Sequence, residues 1–223
     1  MENEKSIEIE KIRKGRVVSA AAGASGDAAV SCMLPDGSMA FILSDGMGKG
    51  MKAAAESQAV INRLRKLLKE GASAPCAIKE VNLDMIEQSG ENYSFATLDL
   101  TIIDKKTSRA KFYKMGATLS FLIRGGSIRR IEQPALPVGI VPRLKLTHAT
   151  AKLRHGDIIV MVSDGITEAD RRDLPAGWLE EYLIENADSA GPRILAGKIV
   201  AEAKTRYRMR ELDDLTAVVV KIE

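Results

Sequence analysis

The tripeptide Pro35-Asp36-Gly37 narrows what this chain can fold into more than any other feature. Proline presets φ early in a turn and glycine accepts a positive φ at its end, so the triplet joins two extended segments tightly. On either side lie Asp27–Leu34 and Ser38–Ser44, the second strongly apolar (MAFIL), and together they read as a β-hairpin. A loop centred on residue 36 pairs positions whose numbers sum to 72, which sets Asp27 opposite Asp45. Directly opposed residues share a face with Cβ atoms about 4.5–5.5 Å apart. Two carboxylates held that close repel unless a cation or a shared proton neutralises them. A β-bulge would shift this register by one residue.

After the hairpin, Gly46-Met-Gly-Lys-Gly50 breaks the strand and opens a helix over Met51–Glu70. There Val60, Ile61, Leu64, Leu67 and Leu68 recur at helical spacing, and Gly71 supplies the stop. Lys52 and Glu56 read as an i,i+4 pair on its polar face. A second helix is expected from about Pro75 to Glu87. The segments Ser94–Ile103, Ala110–Met115, Leu119–Arg124 and Ser127–Ile131 are strand-like, and Pro134–Pro142 is an irregular loop. Asp157–Ser163 (DIIVMVS) and Thr216–Ile222 (TAVVVKI) read as buried strands, with helices at Leu179–Asn186 and Pro192–Arg206 between them. Helices grouped between runs of strands, without strict alternation, indicate an α+β fold. Residues 1–14 are polar and read as an N-terminal arm or linker remnant, which leaves 15–223 as one domain.

Composition removes several classes of function. With 223 residues, 45% of them hydrophobic, the chain can bury a substantial core and is not disordered in the main. Its longest uncharged stretches, such as Val17–Gly26, are far too short to span a bilayer, and the opening MENEKSIEIEKIRK does not read as a signal peptide. Lys plus Arg exceeds Asp plus Glu by 33 to 30, a mildly basic balance rather than a nucleic-acid coat. Arg171, Arg172, Arg206, Arg208 and Arg210 have a single aromatic, Tyr207, among them and read as a solvated or phosphoprotein-facing surface, with no nucleic acid as partner. Cys32 and Cys76 form no CxxC and fit reduced thiols in a cytoplasmic protein. Two histidines, His148 and His155, do not suggest a Ser-His-Asp triad, so any chemistry falls to carboxylates.

Three acidic corners stand beside apolar strands: Asp45-Gly46, Asp164-Gly165 and Asp213-Asp214. If the strands before Asp164 and after Asp213 are antiparallel neighbours, both aspartates lie at one end of a sheet. With Asp27 and Asp45 they make an oxygen-only donor set suited to a hard divalent cation. The glycines let the backbone turn sharply, and allow a carbonyl such as that of Gly46 to face an ion. Each corner alone is also an ordinary turn former, and Asp213-Asp214 would equally serve as a cap or a solvated bend. Their coincidence is what argues for a site.

Ser25-Gly-Asp27, FILSDGMGKG (Phe41–Gly50), LRHGDIIVMVSDGITE (Leu153–Glu168) and LDDLTAVVVKI (Leu212–Ile222) resemble, in their order, the motifs of the PP2C-type (PPM) phosphatases. SFATLDLTIID (Ser94–Asp104), KMGATLSFLIRGG (Lys114–Gly126) and ALPVGI (Ala135–Ile140) are similar to the bacterial SpoIIE branch of that family. The resemblance runs from about residue 17 to the end. It implies an α-β-β-α sandwich of two antiparallel sheets flanked by helices, with a centre for two ions, Mn2+ or Mg2+. It assigns Asp45 to both ions, the Gly46 carbonyl and Asp27 (directly or through water) to the second, and Asp164 and Asp213 to the first. Asp214 is then the orienting neighbour of Asp213, although the reverse assignment stays open.

The activity implied is hydrolysis of a phosphoserine on an anti-sigma-factor antagonist protein, by in-line attack of a metal-bridging water. A stand-alone stress-response phosphatase and a catalytically inactive module of the same fold are the alternatives. Met47 stands where eukaryotic members carry a histidine, and Ser19–Gly26 lacks their phosphate-gripping arginine, so general acid and phosphate grip are unassigned. The acidic site for a third metal has no motif here. The branch also implies an upstream regulatory region or a homodimer, and a cytoplasmic location, including that of a cytosolic part of a membrane-anchored parent. The helix over Met51–Glu70 begins in the same loop as Asp45, whose glycines 46, 48 and 50 suit either a simple loop or a hinge by which a partner gates metal binding.

Overall fold

The computed structural model describes residues 9–21, 23–89, 94–170, 176–187, 191–207 and 211–223. Its hairpin closes where the Pro-Asp-Gly signal lies. The Leu34 amide donates to Ser38 O (2.8 Å), the Ser38 amide donates to Asp36 Oδ1 (2.9 Å), and Gly37 takes a φ of +86°. Strand β1 (Ile12–Ser19) precedes it; β2 (Asp27–Met33) and β3 (Met39–Asp45) are its arms, paired from Asp27↔Asp45 to Met33↔Met39 without a bulge.

Among the described residues, ten strands form two five-stranded antiparallel sheets. One runs in the order β2, β3, β4 (Leu98–Asp104), β5 (Arg109–Met115), β8 (Ala149–Lys152). The other runs β1, β10 (Leu215–Ile222), β9 (Ile158–Val162), β6 (Ser120–Arg124), β7 (Ser127–Ile131). The sheets stack on a middle layer that includes Phe41, Leu43, Phe112, Leu122, Met161 and Val218. On the outer face of the first sheet, Ile42, Leu98 and Leu100 pack against α1 (Gly50–Lys69) and α2 (Ala74–Ser89) through Val60, Leu64 and Ile78. On the outer face of the second, Val160, Ala217 and Val219 pack against α4 (Gly177–Asn186) and α5 (Pro192–Tyr207) through Leu179, Leu195 and Ile199. Alternation along each strand sends one set of side chains inward and the other under helices. The result is the α-β-β-α sandwich expected.

Three elements differ from the sequence reading. β1 begins inside the stretch 1–14 set aside as a polar arm: Ile12 pairs with Ile222, and Ile9 is buried with its amide bonded to Lys105 O (3.1 Å). As an edge strand with a largely open face, β1 has little apolar alternation to read. Its Gly15 is required by close approach, since a Cβ there would lie 2.2 Å from the Arg193 amide nitrogen of α5. The short edge strand β8 and the single-turn helix α3 (Asp164–Thr167) also carry no periodic signal. Arg171, Arg172, Arg208 and Arg210 lie outside the described residues, whereas Arg206 is engaged within the fold, bonded to Glu202 (2.8 Å) and stacked 4.8 Å from the Trp178 ring centroid. No helix among the described residues is long and apolar enough to cross a membrane.

Candidate metal centre

Asp27 is the first residue of β2 and Asp45 the last of β3, directly across the ladder. On the other sheet, β9 and β10 are antiparallel neighbours, Val162 opposite Ala217. The ladder extends one step further, through the Ser163 amide to Thr216 O (3.0 Å) and the Thr216 amide to Ser163 Oγ (2.9 Å). Asp164, which opens α3 just after β9, and Asp213, two residues before β10, therefore stand at the same strand ends. Gly26 joins this corner to the first sheet. A Cβ on it would lie 3.2 Å from Asp214 Oδ2 and 3.4 Å from Asp45 Oδ1. All four sequence-predicted aspartates thus gather at one end of the sandwich.

Their electrostatics follow from the crowding. Asp45 is pushed up to about 8, first by burial and then by the charges of Asp27, Asp164, Asp213 and Asp214. Asp27 is pushed up to about 7 by burial, which the nearby Ser163 and Thr216 hydroxyls offset in part, with Asp164 and Asp214 adding to the rise. Asp164, although open to solvent on one side, is raised by desolvation and then by Asp213 and Glu168. Asp27 is 4% exposed, and neither of its carboxylate oxygens has a partner in hydrogen-bond geometry.

The two neighbouring aspartates of the second sheet behave differently. Asp214 is buried, and its carboxylate accepts the Ala21 amide on Oδ1 (2.7 Å) and the Gly26 amide on Oδ2 (2.5 Å). Those bonds commit both oxygens to holding the chain just before Asp27. Asp213 is half-buried, and its Oδ1 accepts the Asp214 amide (2.9 Å).

Gly46 sits where nothing larger fits, because a Cβ would lie 2.0 Å from the carbonyl oxygen of Ala53 in α1. Its amide donates to Gly26 O (3.1 Å). Sequence reasoning missed the residue that secures the following loop. Glu56, expected on the polar face of α1, is 8% exposed; its Oε2 accepts the Met47 amide (2.9 Å) and its Oε1 the Ser94 hydroxyl (2.6 Å). Its expected partner Lys52 is 3.9 Å away and stays exposed. Helical spacing alone cannot tell such a glutamate from a solvated one. Lys49, in the same loop, pairs with Glu211 (2.9 Å) at the surface.

Beside the acids, a cavity of about 270 Å3 is lined by Asp45, Thr97, Asp99, Thr118, Ser163 and Asp164, among others. No three carboxylate, imidazole or thiol groups among the described residues close around a single point. The site is an open arc of acids, not a finished cage.

Comparison with known proteins identifies the family. The family model of stage II sporulation protein E (SpoIIE) matches residues 35–223. The stage II sporulation protein E of Bacillus subtilis (strain 168) is 35% identical over 205 residues, covering 89% of this chain and 24% of the relative. That of Priestia megaterium is 31% identical over 201 residues, covering 89% of this chain and 34% of the relative. The chain therefore spans about a quarter to a third of these curated relatives. The solved PP2C phosphatase domain with a fragment of the regulatory domain of SpoIIE from Bacillus subtilis superposes with a TM-score of 0.88 at 30% identity, over 97% of this chain and 65% of that one. The RsbU and RsbW domains of Rv1364c from Mycobacterium tuberculosis share the fold at a TM-score of 0.80 and 20% identity, over 97% of this chain and 61% of that one.

Proposed function

This chain belongs to the stage II sporulation protein E family as a PP2C-type phosphatase domain, and from that premise we propose that it hydrolyses phosphoserine on an anti-sigma-factor antagonist protein with divalent cations as cofactors. One observation carries the reading. Asp27 and Asp45 oppose each other across the hairpin, with both Asp27 oxygens buried and unpartnered, at the same end as Asp164 and Asp213. Buried carboxylates left without donors and pushed towards neutrality are what a hard cation relieves. The donor set, all oxygen and all anionic apart from one backbone carbonyl, fits Mn2+ or Mg2+.

In this reading Asp45 would serve both ions, Asp27 and the Gly46 carbonyl one of them, and Asp164 and Asp213 the other. When bound, two such ions supply a water acidified to near-neutral pKa and neutralise the phosphoryl oxygens. The chain's own residues do the rest. Asp214, its oxygens spent on the Ala21 and Gly26 amides, fixes the approach to Asp27 and leaves Asp213 as the free acid of the pair. Glu56 holds the Met47 amide and so the turn that presents Asp45 and Gly46. That bond supports a gate: a partner that shifts α1 would move Glu56 and with it the loop. An upstream regulatory region or a second copy is the proposed source of such control.

The direct test is turnover of a phosphoserine-bearing antagonist protein by the chain across a Mn2+ titration. We expect metal-dependent hydrolysis that Asp45→Asn lowers by at least about 100-fold, the order seen when a key electrostatic group of an active site is removed. Full turnover in the variant would refute the assignment. Tight Mn2+ binding with no turnover of any phosphoprotein would favour the inactive-module alternative.

A further inference from the structure

A second polar group lies beside the acidic arc and takes no part in the proposed chemistry. Asp99 of β4, Lys114 of β5 and Ser120 of β6 are buried between the sheets, and Lys114 is the one buried lysine or arginine among the described residues. Lys114 Nζ donates to Asp99 Oδ2 (2.5 Å) and to Ser120 Oγ (2.8 Å), and Ser120 Oγ donates to the same Oδ2 (2.6 Å). Both hydrogen bonds that Asp99 accepts in the triangle fall on one oxygen. The other, Oδ1, is buried without a partner, and Asp99 lines the cavity shared with Asp45 and Asp164.

Register explains the placement. Asp99 faces Leu43 on β3 and Lys114 on β5, and Asp45 lies two residues beyond Leu43 on the same face. Asp45 and Asp99 are therefore diagonal neighbours, about 7–8 Å apart by the usual spacing of a sheet. Both line one cavity of about 270 Å3, the space in which a hydrated ion would lie between them. Tying the sheets together would need only the Oδ2 triangle, and does not account for a second oxygen kept desolvated and bare on a residue that lines the cavity.

We propose that Asp99 is a positioning residue of the acidic pocket: its Oδ1 accepts hydrogen bonds from the water shell of a divalent cation seated beside Asp45 and Asp164, while Lys114 holds the opposite oxygen and keeps the carboxylate oriented. The inference rests on the metal reading of the site. Partners outside the direct ligands commonly govern metal affinity by 10–100-fold, and Asp99 is placed to act in that way.

The test is Mn2+ affinity by calorimetry at fixed pH, together with the melting temperature of the metal-free chain. Asp99→Asn weakens Mn2+ binding about 10–100-fold. Ser120→Ala, which removes a sheet-to-sheet tie without touching Oδ1, lowers the melting temperature and leaves Mn2+ affinity unchanged. If the single variant fails to fold because Lys114 is left unpaired, Asp99→Asn with Lys114→Met removes both charges and carries the same expected loss. Unchanged affinity in the Asp99 variants, or an equal loss in Ser120→Ala, overturns the proposal and leaves only a structural staple. Wild-type chain that binds no Mn2+ refutes the metal reading itself, and this inference with it.

Discussion

At the scale of single residues, the site is defined by charges placed where they are costly. Asp27 and Asp45 ionise near 7 and 8 when no cation is present, against 3.8 for an ordinary aspartate. Between these values the folded chain holds protons that the unfolded chain has lost, so stability falls as pH rises through the folded-state values. The metal-free chain should melt lower at pH 9 than at pH 5.5 by roughly 5 °C or more, given about 2–4 °C per kcal/mol in a domain of this size. Asp27→Asn or Asp45→Asn should flatten the slope, and saturating Mn2+ should remove it. A melting temperature that rises over this range would show that these carboxylates ionise normally. The placement of this pair was legible in the sequence because a tight turn fixes register by counting, and nothing in the hairpin perturbs that count. Which of Asp213 and Asp214 is free was not legible, because it depends on the amides of Ala21 and Gly26, nearly two hundred positions away.

At the scale of elements, α1 is more than a cover for the first sheet. It carries Glu56, which ties the loop after Asp45 to the helix and to Ser94. Removing a buried acceptor leaves its donors unpaired, so Glu56→Ala should lower stability in urea by about 1–3 kcal/mol. The same change should weaken Mn2+ binding through the loosened loop. Lys52→Ala, which removes only the exposed partner, should change stability by less than about 1 kcal/mol. Equal effects of the two substitutions would mean that Glu56 is an ordinary surface pair. Long helices and doubly covered strands were legible because their apolar periodicity is strong. Two of the four edge strands were not: β1 and β8 pair on one side only, and their sequences look like linker. Glu56 escaped for a related reason, since burial of one polar residue on an amphipathic helix is decided by the loop that folds over it.

At the scale of the whole molecule, two sheets from distant parts of the chain contribute complementary halves of one acidic site. β2 and β3 bring Asp27 and Asp45, and the ends of β9 and β10 bring Asp164 and Asp213. Neither sheet holds enough donors alone, so the ions would join the halves and stabilise their stacking by mass action. The most direct measurement of this account is the Mn2+ stoichiometry of the purified chain by titration calorimetry, in the wild type and in Asp45→Asn. The account predicts two ions per wild-type chain, and loss of both in the variant because Asp45 is shared. A single ion in the wild type, or full occupancy in Asp45→Asn, would contradict it.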